Sequence, residues 1–282
     1  SAGGLERIAQ RLSGMSAKQR IFAALAANGF GQLVTMGTQL LLTPLFFRQW
    51  GAALYGEWLI LSAIPAYLAL ADLGVSSAAG NEMAMRAGAG NHAGAQQTFR
   101  GARGVARLAS ALAVLLGVLL ALCCAGLGWP ALAHIPQHEA ALILLMLSLQ
   151  VALGFSGSVV QAGFRCAGLN GLGTTWANLA RLAEALACAV ALTMGQTALW
   201  LCAATLVVRG GMLLWQWALL RRRCTWLFQP PVPADPGMLR RLLWPSLAFM
   251  AFPLGYAIAL QGPILLIGAL HGSAAVAMFS AM

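Results

Sequence analysis

The chain has 282 residues, of which 60% are hydrophobic and 9% charged, with a formal net charge of +10. Soluble domains carry about a quarter charged residues, so this composition excludes an ordinary soluble domain and fits an all-α integral membrane protein. The basic residues are scattered in short segments between apolar runs, where topology collects them, so no nucleic-acid partner is expected.

Residues 1–20, "SAGGLERIAQRLSGMSAKQR", lack the apolar core of a signal peptide. Leu5, Ile8, Leu12 and Met15 share one helical face, with Arg7, Arg11 and Lys18 on the others. The segment reads either as an amphipathic helix along an anionic membrane surface or as a solvated terminus. Apolar runs of the ~20 residues that a spanning helix needs follow. They run from Ile21 to Phe47, Leu54 to Gly80, Val105 to Gly128, Ala140 to Phe164, Thr174 to Gly195, Ala198 to Leu220, and Leu242 to Leu270. After "HGS" a further run opens at Ala274 and stops at Met282. Residues 21–220 therefore read as a six-helix lobe. Residues 221–241, proline-rich and basic at both ends, read as a linker, and residues 242–282 as the start of a second lobe. Pro-to-Gly punctuation recurs in "TPLFFRQWGAALYGEW" and "GPILLIGALHGSAAVAMF", as internally repeated transporters show. The expectation is a piece of a two-lobed, roughly twelve-helix protein.

Lys and Arg orient the spans. Arg7, Arg11, Lys18 and Arg20 precede the first span, and Arg86, Arg100, Arg103 and Arg107 follow the second. Arg165 follows the fourth, and Arg221, Arg222, Arg223, Arg240 and Arg241 follow the sixth. Arg48 alone lies on the opposite side. Cytoplasmic loops collect such residues, so the N-terminus is expected inside.

The six cysteines (Cys123, Cys124, Cys166, Cys188, Cys202, Cys224) show no metal spacing. Most sit in apolar runs as small hydrophobes, so neither a disulfide nor a metal site is expected. His134 and His138 flank Pro136, which spoils a shared helical face. Trp50, Tyr55, Trp58, Trp129, Trp200, Trp226 and Trp244 gather at span ends as an interfacial belt. No nucleotide-binding loop and no cofactor motif is present.

Ionisable groups inside the spans are the candidates for function, because each costs a few kcal/mol if it faces lipid. Arg48 and Glu57 lie at the outer ends of the first and second spans, and Asp72 near the inner end of the second. Arg181 and Glu184 share one face of the fifth, at i and i+3. From a start at Thr174, Arg181 would lie roughly 10 Å in and Glu184 near the midplane. Glu184 and Arg209 are equally distant from the "GQT" turn, so an antiparallel hairpin could pair them. That pair could be structural; Arg48 could snorkel to the interface, and Asp72 could cap local backbone donors.

The stretch "LTPLFFRQWGAALYGEWLILSAIPAYLALADLGVSSAAGNEM" from Leu42 resembles the first hairpin of bacterial polysaccharide flippases. These are the O-antigen and exopolysaccharide-unit exporters of the multidrug/oligosaccharidyl-lipid/polysaccharide superfamily. Pro44, Arg48, Gly51, Tyr55-Gly56, Trp58, Asp72-Leu73-Gly74 and Asn81 carry the likeness, and "HGSAAVAMFSAM" is similar to the family's entry into its eighth helix. The resemblance implies two six-helix lobes around a cavity. It also implies alternating-access transfer of undecaprenyl-pyrophosphate-linked oligosaccharide, with membrane lipid and polysaccharide assembly proteins as further partners. Such an anionic cargo would meet Arg48, Arg181 and Arg209 in the cavity, with Glu184 and Asp72 alongside. Arg suits that task because its planar fork binds phosphate oxygens in pairs.

The rivals are a cation-coupled multidrug exporter of the same superfamily and a lipid-II-type flippase. Multidrug exporters commonly have an acidic residue in the first helix, whereas here that span offers Asn28, Gln32, Thr35, Thr38 and Gln39. This tips the expectation towards lipid-linked cargo. A membrane-embedded enzyme acting on the same lipids would need a sizeable outer loop with acid/base groups, and "WPALAHIPQHEA" is short and poor in them. The orientation is testable: a cysteine placed at Gln137 should react with an impermeant maleimide added outside cells, and labelling only after lysis would reverse the topology.

Overall fold

The computed structural model describes residues 17–69, 75–128 and 132–229, then 262–264, 266–268 and 270–281 with Gly255 and Ala259. Asp72, residues 1–16, Trp129, Trp244 and the linker beyond Gln229 lie outside the described residues. Everything regular in the described part is helical.

Helix α1 runs from Ala17 to Ala69 and is broken at Gly51, where φ is 71° and ψ 175°. An L-residue with a side chain resists such a φ by roughly 1–2 kcal/mol, so glycine sets the turn between the first two expected spans. Phe46 stacks on Tyr55 across it, with centroids 4.9 Å apart, and Phe47 meets the same ring edge-on at 5.2 Å. The second half of α1 ends at Ala69, and α2 covers Val75–Gly88, so the expected span from Leu54 to Gly80 is distributed over two helices.

Helix α3, His92–Leu127, begins well before the apolar run at Val105. Asn91 explains the early start, because its side chain accepts the Gly94 amide at 2.8 Å and caps the new helix. Arg100 and Arg103, expected in a loop, therefore ride on a helix. Helices α4 (Gln137–Cys166), α5 (Asn170–Thr193) and α6 (Ala198–Arg223) follow, closed by a 3-10 turn at Thr225–Phe228. Helix α7 spans Ser273–Ala281. Among the described residues four stretches, Leu25–Ala63, His92–Gly126, Gln137–Cys166 and Ala198–Arg223, are long and apolar enough to cross a membrane. Helix α5 is long enough at 24 residues, but Asn178, Arg181 and Glu184 interrupt its apolar character.

Helix α4 is the central post, packed on α1, α2, α3, α5 and α6, while α5 and α7 lie against α1. One core, around Phe99, Val159, Phe164 and Leu220, fills the arginine-rich end. Two more, around Ile143 and Leu144 and around Phe46, Tyr55 and Leu192, fill the opposite end.

A buried carboxylate organises that opposite end. Glu57 is 0% exposed and accepts the consecutive backbone amides of Ala133, His134 and Ile135 at 2.9, 2.9 and 2.8 Å. The His134 Nδ1 lies 2.8 Å from the same carboxylate and, facing an acceptor, carries the proton. The loop before α4 is thus folded around one side chain of α1. Next to it, a Cβ on Gly56 would fall 1.7 Å from the Ser273 carbonyl oxygen, so α1 and α7 touch backbone to backbone there.

Charge-assisted hydrogen bonds contribute about 1.5–3 kcal/mol each, and Glu57→Ala removes four acceptor contacts at once. The expected result is a loss of about 3 kcal/mol or more, read as a lowered thermal unfolding midpoint of the purified protein. Gly29→Ala, in a helix with open space around it, should leave the midpoint unchanged or raise it slightly; a loss equal to that of Glu57→Ala would remove Glu57 from its organising role.

Candidate functional site

Between the first half of α1 and α5 lies an open cavity of about 550 Å³. Thr35, Thr38 and Gln39 line it from α1, and Arg181 and Glu184 from α5. Val34, Leu42, Ala185 and Cys188 supply an apolar surround. Asn178 joins the two helices above this level by donating from Nδ2 to the Ala27 carbonyl at 2.7 Å. Gly31 makes room for it, since a Cβ there would lie 2.8 Å from that amide group. The threonine hydroxyls donate back to the Gly31 and Val34 carbonyls at 2.9 and 2.7 Å, leaving their oxygens as acceptors towards the cavity.

Helix α5 starts at Asn170, one turn before Thr174, which puts Arg181 roughly 16 Å and Glu184 roughly 21 Å from its beginning. Glu184 is held across the hairpin by Arg209 in a two-point pair, Nε to Oε1 at 3.0 Å and Nη2 to Oε2 at 2.6 Å. This fork geometry is the stronger form of ion pair. Arg209 also donates from Nη1 to the Gln150 carbonyl at 3.4 Å. The Gln150 amide donates in turn to the Cys202 carbonyl and the Thr205 hydroxyl at 3.2 and 3.0 Å. One polar chain therefore links α4, α5 and α6 near the middle of each helix.

Arg181 is exposed and makes no ion pair among the described residues. Arg181 and Arg209 bring two positive charges and Glu184 one negative, so the cluster carries a net charge of +1 beside a cavity that is otherwise neutral. Arg48 is exposed at the far end of the first half of α1 and does not line this cavity. Of the expected residues, the structure brings together Arg181, Glu184 and Arg209. Gln150 was missed, though a lone amide in the apolar run "LMLSLQVALGF" is a signal, since such groups bond neighbouring helices in a bilayer. Among the described residues no group of His, Cys, Asp and Glu could hold a metal.

No protein-family model and no curated protein matches the chain. Two solved structures share its fold. One is an inward-facing multidrug resistance MATE family transporter of the MOP superfamily, with TM-score 0.51 and 19% identity over 95% of this chain. The other is an outward-facing transporter of the same description, with TM-score 0.57 and 16% identity over 96% of this chain. The chain spans 57% and 65% of those two proteins. The chain thus shares the all-helical fold of those two structures.

Glu184→Gln keeps the shape of the side chain but leaves Arg209 without its counter-charge. The expected cost is about 1–3 kcal/mol of stability, seen as a lower thermal midpoint. Glu184→Gln combined with Arg209→Met should recover part of it, because a coupled pair is non-additive.

Proposed function

We propose that the chain belongs to an alternating-access transporter that exports small amphipathic molecules bearing a negative charge, through the cavity between α1 and α5. The observation that carries this reading is Arg181, which makes no ion pair among the described residues, beside the neutralised Glu184–Arg209 pair in a mostly apolar cavity. An apolar surround with a few placed polar groups suits an amphipathic ligand. The shared fold with multidrug transporters in inward- and outward-facing states supports this over the flipping of lipid-linked sugar. The absence of a carboxylate from the first span does not separate the two, because Glu184 brings one into the same cavity from α5. The distribution of Lys and Arg supports an N-terminus in the cytoplasm, and the resemblance of the first hairpin to bacterial flippases supports a bacterial inner membrane.

A second reading, undecaprenyl-pyrophosphate-linked oligosaccharide as cargo, is favoured by Arg181 itself, whose fork can take two phosphate oxygens. Replacement of Arg181 distinguishes the two. In cells carrying the full-length protein, Arg181→Ala should reduce efflux of an anionic amphipathic dye about tenfold or more, with normal membrane levels. Arg181→Lys should restore most of that efflux if a point charge suffices. Accumulation of lipid-linked oligosaccharide facing the cytoplasm in both variants, with unchanged dye efflux, would select the second reading. Normal dye efflux and normal lipid translocation in Arg181→Ala would overturn both.

A further inference from the structure

A second cavity, about 620 Å³, runs along the outside of the lobe between α3 and α4. Its walls are almost wholly apolar, with Ala111, Val114 and Val118 on α3 and Leu149 and Leu153 on α4. At its floor the Ser110 hydroxyl donates to the Ala152 carbonyl at 3.0 Å and ties the helices together. From Ser110 to Val118 the groove follows roughly 12 Å of helix. Beside it α3 presents Leu108, Leu112, Leu119 and Leu122, all substantially exposed, as a face for lipid tails.

The same stripe of α3 continues towards the arginine-rich end through Arg107 and Arg103, since residues 103, 107, 114 and 118 recur at helical spacing. Arg103 is held by aromatic rings, its Cζ 5.0 Å from the Trp217 centroid on α6 and 5.9 Å from that of Phe99. Arg221, at the end of α6, lies over Phe228 at 5.7 Å. Arg103 sits within the fields of Arg107, Arg221 and Arg100, and Arg100 donates to the Gln229 carbonyl. Among the described residues no carboxylate pairs with Arg103, Arg107 or Arg221. Topology accounts for arginines on this side, but not for Arg103 and Arg107 continuing the groove's own stripe of α3 with Arg221 of α6 close enough for its field to act on Arg103.

We propose that this groove and its arginine mouth form a binding site for an anionic phospholipid of the surrounding bilayer. An acyl chain fills the space between α3 and α4, and the headgroup phosphate sits among Arg103, Arg107 and Arg221. The occupant is a bilayer lipid rather than a soluble phosphate because the arginines continue the α3 stripe that lines an almost wholly apolar groove, which suits an acyl chain and not an inorganic ion. Basic residues at a membrane surface each strengthen binding to anionic lipid about five-fold.

The test uses the full-length protein, delipidated in detergent and titrated with phosphatidylglycerol or phosphatidylcholine of identical chains. Binding is read by native mass spectrometry and by thermal shift. Phosphatidylglycerol should bind as a single tight adduct and phosphatidylcholine far less well. R107Q and R221Q, both at exposed positions, should each weaken phosphatidylglycerol about five-fold without changing stability in phosphatidylcholine. Ala111→Trp, which fills the groove and leaves every charge in place, should also weaken it. Equal binding of the two lipids, or wild-type affinity in R107Q/R221Q, would overturn the site. So would a thermal shift from inorganic phosphate equal to that from phosphatidylglycerol, which would mark a simple anion site. None of these readouts depends on the transported substrate, so failure here leaves the transport reading standing.

Discussion

The ion pair between Glu184 and Arg209 is the constraint on which the lobe depends. Charges in hydrocarbon are costly unless they face one another or a wet cavity, and this pair fixes how α5 and α6 rotate about their axes. Once Glu184 points at Arg209, the i, i+3 relation sends Arg181 towards α1. The same rotation puts Asn178 within reach of the Ala27 carbonyl. The cavity is therefore a by-product of satisfying one carboxylate. Gln150 completes the arrangement by tying α4 to the helix that carries Arg209.

At the two ends of the bundle different devices serve the same need. At one end Glu57 gathers three successive amides and His134, so a loop with little regular structure keeps a fixed shape. Helix α1 meets α7 beside it through Gly56, at a distance no side chain would permit. At the other end aromatic residues do the positioning. Phe99, Trp217 and Phe228 pack on one another and give Arg103 and Arg221 flat surfaces on which their stems and charges rest. There Cys224 is buried, and its thiol is pushed up to about 11 by desolvation, so it behaves as packing material rather than as a nucleophile.

An amphipathic cavity and a lipid groove on one lobe would serve distinct purposes. The first faces the polar chain of α4, α5 and α6, where a bound molecule can reach a fixed positive charge. The second has an almost wholly apolar lining, which suits an acyl chain.

Much of this was readable in advance. Hydropathy marks the spans, because length and apolarity are local properties that the bilayer tests residue by residue. The turn at Gly51 and the pairing of Glu184 with Arg209 were also legible: both follow from neighbours in sequence, the latter from equal distances to one tight turn. Helix ends were less so. Helix α3 starts at His92 because of a cap by Asn91, which outweighs the boundary of the apolar run. The meeting of Thr35, Thr38 and Gln39 with Arg181, the grip of Glu57 on the loop at His134, and the convergence of Arg103 with Arg221 were decided only by the tertiary structure. They join residues far apart in the chain, and the sequence does not state how each helix is rotated when it packs. That rotation is set by which polar groups must find partners once water is gone.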